Sequence, residues 1–160
     1  MSTKLTAQNY QMVNSKPPLA DTSGGNANSD VMSLAKGQTA MTIYYTGVNA
    51  TGNTVITVES CDDTTPSATT AIAFRVTKYA TSGSDIPSTA TAVVSSAGFT
   101  TVTVADVFYV IEVDADMLDG TDKYFQIAQA ESSAGNVMGG YFTIIGPGRY
   151  QEAIADTAIT

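Results

Sequence analysis

The chain has 160 residues, of which 43% are hydrophobic and 14% charged, and its formal net charge is −8. This length suits a single domain with a sizeable core, and the acidic balance disfavours binding to nucleic acid or to an anionic membrane. The sequence holds 24 Thr and 14 Ser but no His and no Trp. Its Thr content favours β-strands. Because His is the commonest general acid–base and metal ligand, we expect no enzyme and no cofactor.

Residues 1–38 differ in composition from the rest of the chain. Pro17 and Pro18 favour extended backbone, and the Ser/Gly/Asn-rich residues 23–29 are typical of a loop. We therefore predict an extended N-terminal arm over residues 1–38. The first ten residues do not resemble a signal peptide, and no apolar run approaches the roughly 20 residues that span a bilayer. We therefore expect a protein that is made in the cytoplasm, stays there or in something assembled there, and has no membrane partner.

Strand patterns recur from residue 41 onward. They cover residues 41–45, 54–59, 72–77, 91–94, 100–104, 107–113, 123–130 and 138–145. Residues 107–113 are apolar on both faces, which predicts a central strand. A short helical turn is expected at residues 114–118. Closely spaced strands without intervening helices predict an all-β fold, an antiparallel β-sandwich or jelly roll over residues 39–146, with a C-terminal tail at 147–160 that leaves the sheet.

The densest charge cluster follows the central strand. Its acidic side chains are Glu112, Asp114, Asp116, Asp119 and Asp122, with Gly120 among them. Several carboxylates close together are what Ca²⁺ prefers, but the spacing does not match an EF-hand loop. We interpret the segment as a solvated acidic loop with a turn at Asp119-Gly120, and keep Asp114, Asp116, Asp119 and Asp122 as a weak metal candidate.

The single cysteine, Cys61, cannot form an internal disulfide. Asp62 and Asp63 follow it directly, and nearby carboxylates disfavour the thiolate that a nucleophile needs. We expect Cys61 to be a partly buried structural residue at the end of a strand.

Contacts with other chains are expected near the two ends of the sequence. Tyr is favoured at protein interfaces, and Tyr10 and Tyr150 lie outside the predicted strands. Arg149 adjoins Tyr150, and Arg pairs well across interfaces. With Pro17 and Pro18, these residues are the interface candidates.

From about Pro17 to Tyr150 the pattern resembles small structural proteins encoded in the head-gene region of tailed bacteriophages. The segments that carry the resemblance are 17–30, 32–34, 41–45, 54–60, the loop 61–70, 71–75, 108–120, 124–127 and the closing 146–150. These are fold-pattern residues and include no catalytic signature.

The resemblance implies a β-sandwich protein of the virion, a head decoration (cement) protein on the capsid exterior. Its partners would be the major capsid protein and further copies of itself, as a homotrimer or a dimer. The alternatives are a tail, neck or fibre component of the virion, and a carbohydrate-binding or adhesin-like sandwich that uses the acidic loop and surface Tyr.

Overall fold

The computed structural model describes residues 10–19, 21–22, 24, 28–47, 52–79, 87–102, 107–133 and 135–148. These residues form eleven strands and one short 3-10 helix. In chain order they are β1 Gln11–Leu19, β2 Met32–Ser33, β3 Gly37–Thr46, β4 Asn53–Cys61, β5 Thr69–Ile72, β6 Phe74–Tyr79, β7 Pro87–Val94, β8 Phe99–Thr100, β9 Val107–Asp114, the 3-10 helix Ala115–Met117, β10 Tyr124–Ser133 and β11 Gly139–Gly148.

Two sheets pack against each other, which confirms the predicted all-β sandwich. The six-stranded sheet has the order β1-β11-β3-β9-β6-β7, and the five-stranded sheet has the order β2-β10-β4-β5, with β8 also paired to β4. The described strand pairs are all antiparallel. Strand β9 lies inside the six-stranded sheet, between β3 and β6, so the prediction of a central strand is confirmed.

The core lies between the two sheets and follows the two-residue alternation of the strands. Strand β9 buries Val107, Tyr109, Ile111 and Val113, as the sequence predicts, while the residues between them are partly exposed. The six-stranded sheet also contributes Tyr44 and Tyr141, whose rings stack with centroids 4.6 Å apart. The five-stranded sheet contributes the fully buried Ile56, Val58, Phe125 and Ile127.

The region predicted to be an N-terminal arm takes part in both sheets. Strand β1 pairs with β11, and Val13 on β1 is buried in the core. Further along, the Ser29 backbone N–H donates to the Ile127 carbonyl over 2.9 Å, and β2 pairs with β10. The sandwich therefore begins near residue 11, because buried apolar side chains, although widely spaced in this region, anchor it to the core.

The C-terminal boundary also differs from the prediction. Strand β11 continues to Gly148, and Gly146 and Gly148 lie opposite Thr39 and Gly37 on β3. The chain therefore leaves the sheet at least two residues later than expected. Glycine and proline in this segment predicted a break, but pairing with β3 extends the strand.

Candidate protein-contact surface

The outward side of the six-stranded sheet is largely apolar. Strand register places its side chains in three rows, the first of which ends in Glu112 and Arg75 and the second in Thr77. The apolar stretches of these rows are Met12–Ile144–Met41, Phe142–Ile43–Val110 and Tyr45–Phe108–Tyr79. With Met138 and Pro18, the side chains of these stretches form what we call the apolar outer face. Its exposed members include Met12, Tyr45, Met138 and Phe142, at 51%, 48%, 44% and 40% of their possible surface.

The Tyr45–Phe108–Tyr79 row is ordered by a side-chain contact. Tyr79 and Phe108 stack with ring centroids 4.5 Å apart and ring planes 8° from parallel. Cross-strand aromatic pairs of this kind stabilise a sheet and hold the rings flat against it. The face therefore presents a fixed apolar surface.

A groove of about 490 Å³ lies within the apolar outer face, over the start of β11. Its walls include Pro18, Tyr45, Met138 and Phe142, and its floor includes Gly140. No side chain projects from Gly140, and a Cβ atom there would lie 2.9 Å from the Pro18 backbone nitrogen. Glycine thus permits the close approach of β1 and creates the hollow between the exposed side chains.

A buried polar cluster supports the groove from below. The Lys16 Nζ donates hydrogen bonds to the Thr22 carbonyl at 2.7 Å and to the Gln129 Oε1 at 2.9 Å. Burial lowers the pKa of Lys16, and the Asp21 charge opposes that shift. The hydrogen bonds link β1 to β10 across the sandwich, and so fix the edge strand that carries Pro18.

The outward side of the five-stranded sheet is mixed where β4 and β10 pair. Glu59 lies opposite Gln126, and the Gln126 Nε2 donates to the Glu59 Oε2 over 2.7 Å. The next pairs on the same side are Thr57 with Ala128 and Val55 with Ala130, whose side chains are small. The exposed aromatic and Met side chains of the apolar outer face thus distinguish the six-stranded sheet, and exposed apolar patches are typical of interaction sites.

The acidic segment after β9 does not form a cluster of ligands. Asp114 accepts from the Arg75 Nη1 at 2.7 Å and from the Thr39 Oγ1 at 2.9 Å. Asp122 instead accepts from the Ser60 Oγ at 2.8 Å. No group of three or more His, Cys, Asp or Glu in the described part of the chain is arranged to hold a metal ion. Gly120 has a φ of +54°, which fits the predicted Asp119-Gly120 turn.

Arg75 is the main cation at this end of the sheet. Its Nε also contacts the Glu112 Oε2 at 3.2 Å. The hydrogen bond from Arg75 holds the pKa of Asp114 below its ordinary value, and Thr39 acts in the same direction. Two carboxylates of the predicted metal candidate thus have separate partners on different strands: Asp114 pairs with Arg75 on β6, and Asp122 accepts from Ser60 on β4.

Cys61 is fully buried at the last position of β4. Burial raises the pKa of its thiol to about 12, and the charges of Glu59, Asp122 and Asp62 add to the effect. The predicted position at a strand end is confirmed, but the side chain is more buried than expected. A thiol with so high a pKa is a poor nucleophile.

The interface candidates from the sequence are only partly described. Tyr10 is half-buried just before β1, and Pro17 and Pro18 are exposed on β1. Pro18 also lines the groove. Arg149 and Tyr150 lie outside the described residues.

Sequence reasoning missed Tyr45, Met138 and Phe142. The available signal was that the strands predicted at 41–45, 107–113 and 138–145 carry apolar residues on both faces. That pattern indicates a second covered face, but it does not say that the three strands are neighbours. Their pairing as β11-β3-β9 places the second faces side by side.

Comparison with protein-family models, with curated proteins and with solved structures finds no match to this chain. The resemblance to phage head proteins therefore stays a prediction from the sequence. In the described residues, no helix is long and apolar enough to cross a membrane.

Proposed function

We propose that this protein is a non-enzymatic structural component of a phage virion, a decoration protein that binds the outside of the capsid as a homo-oligomer. Its partners are the major capsid protein and further copies of itself. The observation that carries the proposal is the apolar outer face, with Tyr45, Met138 and Phe142 exposed beside the groove. The sequence resemblance supplies the virion context.

The chemistry of the surface supports a contact role. Aromatic residues and Met are enriched at protein interfaces, and charged residues are depleted at their centres. The apolar outer face has this composition, and of the charged side chains beside it Arg75 pairs with both Glu112 and Asp114. An acidic protein of net charge −8 also stays soluble at high copy number and is not drawn to packaged DNA.

The architecture also supports a mechanical role. A sandwich closed by antiparallel strands and a continuous core resists deformation, because its interior is close-packed and its backbone hydrogen bonds join neighbouring strands. A protein that reinforces a shell needs such a rigid body and contacts that repeat with the symmetry of the shell.

The test is co-sedimentation of the purified protein with expanded, undecorated phage shells, measured as copies bound per coat subunit. We expect saturation at a fixed ratio, and loss of binding when residues 149–160 are removed. To test the N-terminal end, only residues 1–9 are removed, because a deletion that extends beyond residue 10 would remove part of β1 and disturb the fold.

No binding at any concentration would contradict the decoration role. Occurrence of the protein in particles at far fewer copies than the coat subunit would favour a tail or neck component instead.

A further inference from the structure

The outward side of the six-stranded sheet has the size of a small specific interface, with an apolar centre and a polar margin. From β1 to β6 it is five strands wide at ~4.8 Å per strand and seven residues long at ~3.4 Å per residue, which covers about 550 Å² and includes Arg75, Glu112 and Thr77 beside the apolar outer face. Burying it against an equal area removes roughly 1,100 Å² from water, above the ~1,000 Å² that specific interfaces reach and below the common ~1,600 Å². The face is therefore large enough to bind one protein partner, with modest affinity.

The face has both protruding and hollow parts. Tyr45, Met138 and Phe142 protrude, and the groove over Gly140 lies between them. An interface between two identical surfaces needs both features in the same patch, because each protruding side chain must find a hollow on the other copy. The groove volume of about 490 Å³ has room for an aromatic side chain from a second chain.

Charge also favours a second copy at this face. Two chains of net charge −8 repel each other, so they associate best where their contact surfaces carry little charge. Pairing through the apolar outer face leaves Glu59, Asp62 and Asp122 outside the contact and places Glu112 and Asp114, both paired with Arg75, at its margin. Pairing through the five-stranded sheet would instead bring the Glu59 side chains towards each other, next to Asp62 and Asp122.

We propose that two copies of this chain pair through their apolar outer faces, with exposed Tyr45 and Phe142 of each copy packing at the groove of the other. The inference rests on the proposed function, which assigns the apolar outer face to a protein contact, and it identifies the partner at that face as a second copy of the chain. A face-to-face contact between identical patches has two-fold symmetry and closes at a dimer.

Sedimentation equilibrium of the full chain over a wide concentration range tests the pairing. We expect a reversible monomer–dimer equilibrium with a dissociation constant in about the micromolar range. Tyr45→Thr and Phe142→Thr each weaken the dimer by roughly tenfold or more, because aromatic side chains dominate such interfaces. Thr retains strand propensity, and both positions are exposed, so the variants keep their thermal unfolding transition.

The Tyr124→Thr variant loses a half-buried aromatic side chain at the start of β10, in the other sheet; it is the control and keeps the wild-type dissociation constant. A monomer at every concentration, a dimer indifferent to both substitutions, or a trimer would each overturn the pairing. A wild-type monomer that saturates capsid shells would overturn this inference and leave the capsid-binding role standing. A dimer that does not bind capsid shells would support the pairing and contradict the proposed function.

Discussion

At the scale of single residues, Arg75 organises the charged end of the six-stranded sheet. It lies directly opposite Glu112 and reaches diagonally to Asp114, whose other oxygen accepts from Thr39. The Arg75 and Asp114 side chains each keep 28% of their surface exposed, so the pair is only partly screened by water. This contact joins three neighbouring strands through side chains.

Replacing Arg75 by Met is expected to lower the free energy of unfolding by about 1 kcal/mol near neutral pH, since two carboxylates lose their counter-charge. The effect depends on pH. In the folded protein the pKa of Asp114 lies below its ordinary 3.8, so its stabilising contribution is present above that pH. It is lost as the pH falls through the folded pKa, because the unfolded chain takes up the proton first.

Urea unfolding followed by far-ultraviolet circular dichroism at several pH values measures this effect. The difference between wild type and Arg75→Met should shrink in acid below about pH 4. Arg75→Lys is the control, because it keeps the positive charge and should lose less than the Met variant. An Arg75→Met difference that stays constant down to the lowest pH would contradict the assignment of Arg75 to Asp114.

Also at this scale, hydroxyl groups replace apolar packing in part of the core. Ser15, Thr143 and Thr42 form a chain of buried hydroxyls across β1, β11 and β3, with both oxygen–oxygen distances at 2.9 Å. Each hydroxyl can donate one hydrogen bond and accept others, so buried oxygen atoms on neighbouring strands satisfy one another. The high Thr and Ser content thus contributes to the sheet interior.

At the scale of elements, β1 is the strand on which the groove most depends. It forms one edge of the six-stranded sheet, carries Pro18 at the groove wall, and is anchored by buried Val13 and Lys16. Proline is tolerated there because an edge strand has one side without ladder hydrogen bonds. Register shifts on both sides of Lys16 let the lysine turn inward while the prolines stay exposed.

Deletion of residues 1–20 is expected to abolish the cooperative unfolding transition or to cause aggregation, because it removes β1 and exposes β11 as a new edge. Deletion of residues 1–9 should leave the melting temperature within a few degrees of wild type, as it removes no described strand. Thermal unfolding monitored by circular dichroism compares the two truncated chains. A stable, soluble chain without residues 1–20 would show that β1 is dispensable.

At the scale of the whole molecule, the apolar outer face carries little net charge, because Arg75 pairs with Glu112 and Asp114 at its margin. The apolar outer face lies on one sheet, and Glu59, Asp62, Asp63 and Asp122 lie on or beside β4 and β10 of the other. A net charge of −8 on each copy therefore opposes association over a long range, while the contact surface itself is nearly uncharged.

This separation predicts that salt strengthens the proposed dimer. Raising ionic strength from about 0.01 M to about 0.15 M shortens the screening length from ~30 Å to ~8 Å, so repulsion between the copies largely disappears. The dissociation constant should fall roughly tenfold, as measured by sedimentation equilibrium at both salt concentrations. Weakening of the dimer by salt would indicate an interface held by ion pairs, contrary to the apolar contact.

The sequence by itself determined the fold class and most of the strands. Short runs rich in apolar and β-branched residues at 54–59, 107–113 and 123–130 specify strands, because such side chains pack well on a pleated sheet and the runs are too short for buried helices. The absence of helical periodicity between them specified antiparallel neighbours. Cys61 at a strand end and the turn at Gly120 also followed from local chemistry.

Only the tertiary structure decided which strands are neighbours, and therefore what the surface is. Strand β1 joins the sheet through Val13 and its ladder with β11, which lies more than a hundred residues away in the chain. Likewise, Tyr45 and Phe142 share a face because β3 pairs with β11, and Arg75 meets Asp114 because β6 pairs with β9. Local sequence patterns indicate which residues favour burial. Pairing between distant strands depends on the packing of the whole core, and this pairing leaves one apolar face of the six-stranded sheet on the outside.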